Sequence, residues 1–286
     1  MVCPGTSSWN ALCGRTANCI ENIRQAVTAG VAHGAVGLLL TDWGDAGHTQ
    51  PRALSYPGIT TAGGCAWNPD PLPVTKPKPG IERTGDWVGE WGDRDVAKLL
   101  DTYIFWDTDV SVGNVITELG NTYLHTGGGT SANTNGTALF RMLMFPGRDA
   151  PAVPEGITSA GLRSAAKHAR DLIEALDTAA EQTRLCDDIE GIRIAVDMTV
   201  LACRLGQALL RHQCQVVDLP LTQRTDLANR LIPIAGRLSA HWKQQNRHGG
   251  LDDTMELLST TVSVLLGTDG IETANGRAAD APAVNK

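Results

Sequence analysis

The stretch that decides the fold reads Leu38-Leu39-Leu40-Thr41-Asp42-Trp43-Gly44-Asp45-Ala46-Gly47-His48. An apolar run ends abruptly in an aromatic ring, two carboxylates and an imidazole, with glycines between them. A buried parallel strand delivers polar groups to the open end of a barrel in this way. A tryptophan beside carboxylates is also typical of sugar sites, because the ring covers the apolar face of a pyranose and the carboxylate accepts hydrogen bonds from its hydroxyls. The stretch therefore predicts a carbohydrate site at a strand end.

Residues 1–67 have the pattern of an α/β unit. Apolar side chains at helical spacing predict a helix that ends near Gly34: Ile20, Ile23, Val27 and Val31. The run Val36 to Leu40 predicts a short strand, and Val2-Cys3 is strand-like as the stub of a preceding parallel strand. A second helix is predicted over residues 59–67.

One strand–helix–strand unit cannot stand alone, since a two-stranded sheet leaves its edges open. A complete (β/α)₈ barrel takes about 250 residues. We therefore expect residues 1–67 to be the last strands of an incomplete TIM-type barrel, its C-terminal part. The other strands would come from a partner chain or from a longer protein, and the strand-like start at Val2-Cys3 favours the longer protein.

The remainder of the chain has a different pattern. Five prolines predict an extended linker over residues 68–92, followed by Trp87 and Trp91 as either a second sugar platform or anchors of the linker. Apolar stripes at helical spacing predict a helical C-terminal domain over residues 93–267. The small, polar residues 268–286 predict a disordered tail. The predicted fold class is an α/β piece followed by a mainly α-helical domain.

Composition narrows the function classes. The chain has 286 residues, 42% hydrophobic and 19% charged, with a formal charge of −7. That charge disfavours nucleic-acid partners and suits a neutral small substrate. No apolar stretch is long enough to span a bilayer and no signal peptide is evident, so we expect a cytoplasmic protein without a membrane partner. The seven scattered cysteines favour buried free thiols, and we expect no metal and no cofactor.

Four side chains of the decisive stretch are candidate ligands for a sugar. Trp43 can wall a pyranose pocket or lie in the core, and the polar and glycine neighbours favour the pocket. One of Asp42 and Asp45 can accept hydrogen bonds from sugar hydroxyls, while the other caps the turn. An acid/base pair is the third alternative, although two carboxylates on one loop seldom flank a glycosidic bond. His48 either hydrogen-bonds within the loop or ligates a metal.

A second candidate segment follows the first strand stub. Parallel strands carry their carboxyl ends to the same edge, so Trp9 and Asn10 are expected on the same rim as Trp43. Trp9 would form a second wall of the pocket. Asn10 or Arg15 would supply a polar contact.

Three segments together resemble the C-terminal barrel segments of family 20 glycoside hydrolases, the β-N-acetylhexosaminidases: residues 3–10, residues 41–48 and Ser55-Tyr56-Pro57-Gly58. Residues 242–251 resemble the end of the helical region in the same family. The resemblance implies that Trp43 packs on a terminal N-acetylhexosamine. It implies that Asp45 binds outer hydroxyls, with Asp in place of the family's Glu. Trp9 resembles an aromatic wall around the acetamido group.

The chain departs from that family at the catalytic groups. Family 20 catalysis is substrate-assisted: the acetamido oxygen attacks the anomeric carbon, an Asp orients the acetamide and the adjacent Glu protonates the leaving group. These residues lie in a His-x-Gly-Gly-Asp-Glu motif, which this sequence lacks, and the Arg expected near the first strand is also missing. The resemblance thus implies a hydrolase part that holds the sugar, with no catalytic residue of its own. We expect the isolated chain to be inactive.

Two other functions compete with a partial hexosaminidase. One is a non-catalytic carbohydrate-binding module. The other is a helical scaffold or interaction protein whose N-terminal unit is vestigial. The partial hexosaminidase and the carbohydrate-binding module both predict an N-acetylhexosamine-containing glycan as partner. The partial hexosaminidase also predicts the missing N-terminal barrel segment as a partner.

Overall fold

The computed structural model describes residues 1–45, 47–67, 93–106, 112–129, 131–148, 151–179 and 186–268. These residues are mainly helical, as predicted for the larger part of the chain. The α-helices are α1 Thr16–Ala32, α2 Tyr56–Trp67, α3 Asp93–Leu100, α4 Val112–Leu119, α5 Ala138–Met144, α6 Ser159–Ala179, α7 Cys186–His212, α8 Leu221–Gln245 and α9 Leu251–Leu266. A π-helical turn, Asp101–Phe105, continues α3, and short 3-10 helices cover Arg52–Ser55, Thr122–Thr126, Ser131–Asn133 and Val216–Asp218.

Helices α5 to α9 pack around a large apolar cluster. Helix α7 lies against α5, α6 and α8, and α9 packs on α8. The fully buried side chains at the centre include Phe140, Leu162, Ile194 and Leu231. Burial of about 25 cal/mol for each Å² of apolar surface is the main stabilising term in such a bundle.

The N-terminal segment shares a core with the helices. Cys13, Ile20 and Leu54 belong to the same buried cluster as Leu119 of α4 and Ile192 of α7. This shared cluster fixes the loops that follow Gly5 and Thr41 against the helical region. The predicted linker, Trp87 and Trp91 lie outside the described residues, and so do all residues of the predicted tail beyond Thr268.

Two isolated parallel bridges, Val2 to Leu38 and Gly5 to Thr41, stand where the strand pair was predicted. Val2 donates to the Gly37 carbonyl at 3.0 Å and accepts from Leu39 at 2.9 Å, and the Pro4 carbonyl accepts from Thr41 at 2.9 Å. The ladder is interrupted because Pro4 has no N–H to donate. The segments therefore run parallel in the predicted pairing without forming a continuous strand within the described residues.

The apolar run of the decisive stretch is not buried, which corrects the prediction of a buried strand. Val36 is 92% exposed and Leu39 53% exposed. Only Leu38 and Leu40 pack, partly buried, on the small cluster that α1 and α2 form around Ile23. One face of the run is covered by those helices, and the other face has no covering element among the described residues.

The predicted helices of the α/β unit are confirmed with small shifts. Helix α1 ends at Ala32, two residues before Gly34, and α2 begins at Tyr56, three residues earlier than predicted. Among the described residues, no helix combines the length and apolar character needed to cross a membrane. The described cysteines are free thiols, and Cys13, Cys19, Cys65 and Cys203 are buried, as the scattered spacing predicted.

Candidate functional site

The Asp42 carboxylate is fixed by three hydroxyl groups. Ser8 Oγ donates to Asp42 Oδ1 at 2.6 Å, Ser55 Oγ donates to the same oxygen at 3.1 Å, and Thr6 Oγ1 is the third donor. All three donors are almost completely buried. Asp42 Oδ2 takes part in none of these bonds. Charge-assisted hydrogen bonds of this kind hold a carboxylate in one orientation.

The parallel pairing brings these groups to one end of the two segments. Thr6 and Ser8 follow the bridge residue Gly5, while Asp42 follows its partner Thr41. The third hydroxyl, that of Ser55, comes from the 3-10 helix Arg52–Ser55 just before α2. Three separate stretches of sequence therefore meet at a single carboxylate.

Trp43 lies beside this carboxylate with much of its ring in solvent. Its side chain is 58% exposed, and Asp45 is exposed as well. The interpretation of Trp43 as a core residue is therefore wrong. His48 Nδ1 lies 3.3 Å from the Trp43 carbonyl oxygen, so the imidazole bonds within the loop. The exposed indole offers an apolar face to solvent, one residue after the oriented carboxylate.

Trp9 is held in place by Gly5 and by the helical region. A Cβ atom added to Gly5 would come within 2.6 Å of Trp9 Cζ3, so the ring packs where only a glycine leaves room. Trp9 Nε1 donates to Asn135 Oδ1 at 3.1 Å. The Arg15 guanidinium lies 5.0 Å from the ring centroid, a cation–π distance. Burial lowers the pKa of this Arg15 side chain.

Asn10 fixes the loop rather than extending an open ligand group. Its Nδ2 donates to the Asn135 carbonyl at 3.3 Å, and its own carbonyl accepts from Thr137 N–H at 2.8 Å. Ser7, Asn10 and Asn135 have positive φ values of 57°, 50° and 53°. Left-handed backbone at non-glycine residues is strained and recurs at ligand sites.

The structure brings these residues into two groups. Asp42, Trp43 and His48 lie together in one loop, and Asp45 is on the same loop, exposed. Trp9 and Asn10 lie at the same end of the parallel pair and are tied to Asn135 of the helical region. The indole N–H of Trp9 already has a partner in Asn135 Oδ1, and the shared rim with Trp43 stays a prediction.

A cavity of about 330 Å³ opens beside Asp42, between residues 48–52 and the helices α7 and α8. Its helical wall includes Asp188, His241 and Trp242. His241 is 8% exposed and forms no hydrogen bond with any residue that the structure describes. Burial lowers the pKa of this imidazole, although the carboxylates of Asp188 and Glu190 act in the opposite direction. A neutral imidazole is both a donor and an acceptor.

Thr49 and Gln50 line the loop side of the same cavity, but their side-chain oxygens are closed off from it. Thr49 Oγ1 and Gln50 Oε1 are buried, and neither has a hydrogen-bond partner among the described residues. Asp188 lies 3.7 Å from the Arg52 guanidinium. Buried polar atoms without partners are uncommon and are often satisfied by a bound molecule or water.

Sequence reasoning did not find the helical wall. Trp242 fits the apolar stripe of α8, and His241 and Asp188 carry no motif of their own. Only the resemblance of residues 242–251 to the family segment pointed to this part of the chain. The meeting of α8 with residues 48–52 depends on tertiary packing, which spacing along one helix does not encode.

The site is suited to a polar, neutral ligand. No group of three or more His, Cys, Asp or Glu side chains within the described residues could hold a metal ion. Comparison with protein-family models, curated proteins and solved structures found no match to the chain. The oriented carboxylate, the exposed indole and the adjoining cavity are the features of this chain that bear on its function.

Proposed function

We propose that this chain binds a terminal N-acetylhexosamine at residues 41–48. The observation that carries the proposal is Asp42, oriented through Oδ1 by three buried hydroxyls and followed in the chain by the exposed Trp43. A preorganised acceptor loses little entropy on binding, which favours a weakly interacting neutral ligand such as a sugar. The formal charge of −7 also suits a neutral ligand better than an anionic one.

Each side chain has a role in this proposal. The Trp43 indole covers the apolar face of the pyranose. Asp45, which matches the carboxylate of the family motif, accepts hydrogen bonds from the outer hydroxyls. Asp42 shapes the loop through Oδ1 and presents Oδ2 as a further acceptor. His48 supports the Trp43 backbone.

We further propose that the chain is the sugar-holding part of a β-N-acetylhexosaminidase of the family 20 type. Catalysis there requires an Asp that orients the acetamide and a Glu that protonates the leaving oxygen. No Asp-Glu pair follows a Gly-Gly in this sequence. Both carboxylates must therefore be supplied from outside these 286 residues, and this chain alone is expected to bind without hydrolysis.

The open edge at Leu38 to Leu40 supports the proposal of a partial barrel. Leu38 and Leu40 form no backbone hydrogen bond within the described part of the chain. The neighbouring side chains of Val36 and Leu39 are exposed. Unpaired N–H and C=O groups beside apolar side chains favour the addition of another strand. We propose that further parallel strands pair here, from a partner chain or from sequence joined to this one.

A non-catalytic carbohydrate-binding module is the second candidate, favoured by the missing catalytic pair. It shares the Trp43 site and needs no further strands. A helical scaffold or interaction protein would have no use for an oriented carboxylate beside an exposed indole. In that case Trp43→Ala would alter stability and no ligand affinity.

Calorimetric titration of the full chain with N-acetylglucosamine tests the proposal. A ligand of about 15 non-hydrogen atoms at about −0.3 kcal/mol each gives about −4.5 kcal/mol, so we expect a Kd on the order of 1 mM. Trp43→Ala should weaken binding about tenfold, which corresponds to about 1.4 kcal/mol. Trp67→Ala is the matched control, because Trp67 is 90% exposed and outside the site.

Two results would contradict the proposal. One is no heat of binding up to tens of millimolar sugar. The other is equal weakening by Trp43→Ala and Trp67→Ala. Release of p-nitrophenol from the N-acetylglucosaminide by the chain alone would refute the claim that the catalytic groups lie elsewhere.

A further inference from the structure

An open groove of about 910 Å³ lies between the C-terminal half of α7 and the N-terminal part of α8. Thr222 and Leu227 of α8 form part of one wall. The residues of α7 on the other wall include four that share one helix face: Arg204, Gln207, Ala208 and Arg211. His241 lies about four turns further along α8, so this groove is separate from the cavity beside Asp42.

The groove carries an excess of positive charge. Arg204 and Arg211 are exposed, and neither forms a hydrogen bond or an ion pair with any residue that the structure describes. The acidic side chain on the groove wall, Asp226, accepts a hydrogen bond from Arg230 Nε at 2.8 Å. This hydrogen bond lowers the pKa of Asp226, and the charge of Arg204 adds to the effect. One carboxylate therefore faces three guanidinium groups.

The two arginines of α7 also have a defined spacing. They are seven residues apart, so their Cα atoms are separated by about 10 Å along the helix axis. The helix dipole favours a cation at Arg211, in the last turn of α7, but it does not account for Arg204 two turns earlier. An attraction for a ligand would account for both positions.

Apolar side chains accompany these charges. Leu210 lines the groove and is half-buried, and Leu221, which precedes the lining residue Thr222, is 60% exposed. Arginine beside partly exposed apolar side chains is typical of surfaces that bind other proteins.

We propose that this groove binds an acidic segment of a partner protein, whose carboxylates pair with Arg204 and Arg211. Clusters of arginine are a general means of recognising acidic motifs, because the guanidinium fork matches a carboxylate with two parallel hydrogen bonds. Carboxylates about 10 Å apart would match the arginines, which means seven residues apart on a helix or three apart in an extended segment. The proposal is independent of the sugar site.

Other anions fit the groove less well. Its volume is near the upper end of the range of about 300–1,000 Å³ for small-molecule sites, which favours an extended ligand over a single phosphate. The formal charge of −7 opposes a long polyanion such as a nucleic acid. A short acidic segment interacts mainly with charges within the screening distance of about 8 Å, and these are the arginines of the groove.

The test titrates the full chain with a short oligoglutamate peptide and follows the arginine Nε–H signals in ¹H–¹⁵N spectra. We expect the signals of Arg204 and Arg211 to shift in a saturable manner. Arg204→Gln and Arg211→Gln should each weaken binding about threefold, in the range of exposed ion pairs, and together about tenfold. Salt on the order of 0.5 M should weaken binding by the parent chain as well.

Arg247→Gln is the matched control, because it removes the same charge from an exposed position just beyond the other end of α8. Both groove arginines are exposed, so their variants should fold, and they should leave the titration with N-acetylglucosamine unchanged. Oligoglutamine of the same length should cause no saturable shift.

Three results would overturn the proposal. The first is no saturable shift at millimolar oligoglutamate, and the second is equal binding of oligoglutamine. The third is equal weakening by Arg204→Gln and Arg247→Gln. If inorganic phosphate shifts the two signals and oligoglutamate does not, the groove is a small-anion site and the acidic segment is likewise refuted.

Discussion

Replacement of Asp42 by alanine removes the one acceptor shared by three buried hydroxyls. Thr6, Ser8 and Ser55 are each no more than 3% exposed, whereas Asp42 itself is exposed, so water can replace the lost carboxylate only in part. We expect the variant to fold with a reduced free energy of unfolding. The decrease in the free energy of unfolding measures how strongly these hydrogen bonds stabilise the candidate site.

The size of the loss in free energy of unfolding depends on the hydrogen bonds that each hydroxyl keeps after the substitution. A hydrogen bond to a charged group contributes about 1.5–3 kcal/mol. Thr6 Oγ1 and Ser8 Oγ are 3.0 Å apart and can bond each other, whereas Ser55 Oγ accepts from Gln50 at 3.3 Å but loses its acceptor. One charged hydrogen bond lost outright and two partly replaced give a total of about 2–3 kcal/mol. Asp42→Asn keeps an acceptor oxygen and should lose about 1 kcal/mol.

Urea denaturation followed by far-ultraviolet circular dichroism measures the effect. The midpoint should fall while the slope with denaturant stays constant. Asp45→Ala is the matched control: this carboxylate is exposed, so the change should stay within about 0.5 kcal/mol. If Asp42→Ala also stays within about 0.5 kcal/mol, the three hydroxyls do not anchor the site and the reasoning fails.

Two other properties of the chain are open to direct measurement. Burial raises the pKa of the thiols of Cys13 and Cys203 to about 12. Because the unfolded thiols ionise first, stability is complete below about pH 8.5 and falls above it by about 1.4 kcal/mol per pH unit for each thiol. Burial raises the pKa of the Cys19 and Cys65 thiols as well, so Cys203→Ala should reduce the slope by the contribution of one thiol, about 1.4 kcal/mol per pH unit. Urea midpoints at pH 8 and pH 10 check this, and equal midpoints would disprove it. On the open edge, Leu39→Lys should change the free energy of unfolding by less than about 0.5 kcal/mol, because this side chain is 53% exposed. A loss above about 2 kcal/mol would mean that Leu39 is buried.

Much of the fold could be predicted because its signals are local. The apolar spacing of Ile20, Ile23 and Val27 predicted α1, and the stripes beyond residue 93 predicted a helical region. Strand burial was not predictable from the apolar run. Leu38 and Leu39 look alike in sequence, yet one packs on the cluster around Ile23 and the other faces solvent. Pro4 interrupts the pairing of the two segments, and this interruption depends on which segment lies against Pro4.

The candidate site was predictable in its loop and not in its surroundings. Asp42, Trp43 and His48 are consecutive or nearly so, and their chemistry is visible in the sequence. Ser8 and Ser55 have no distinguishing pattern, because their role depends on three chain segments meeting at Asp42. His241 and Asp188 are separated from the loop by more than 130 residues and reach it only through the packing of α7 and α8.

The most direct test of the central claim is a ¹H–¹⁵N spectrum of the tryptophan indoles during titration with N-acetylglucosamine. Assignment by Trp43→Phe identifies the Trp43 Nε1–H signal. A sugar site at residues 41–48 predicts that this signal shifts in a saturable manner, with the same Kd as calorimetry, while the Trp67 signal stays fixed. An unmoved Trp43 signal at saturating sugar, or equal shifts for the two indoles, would contradict a sugar site at residues 41–48.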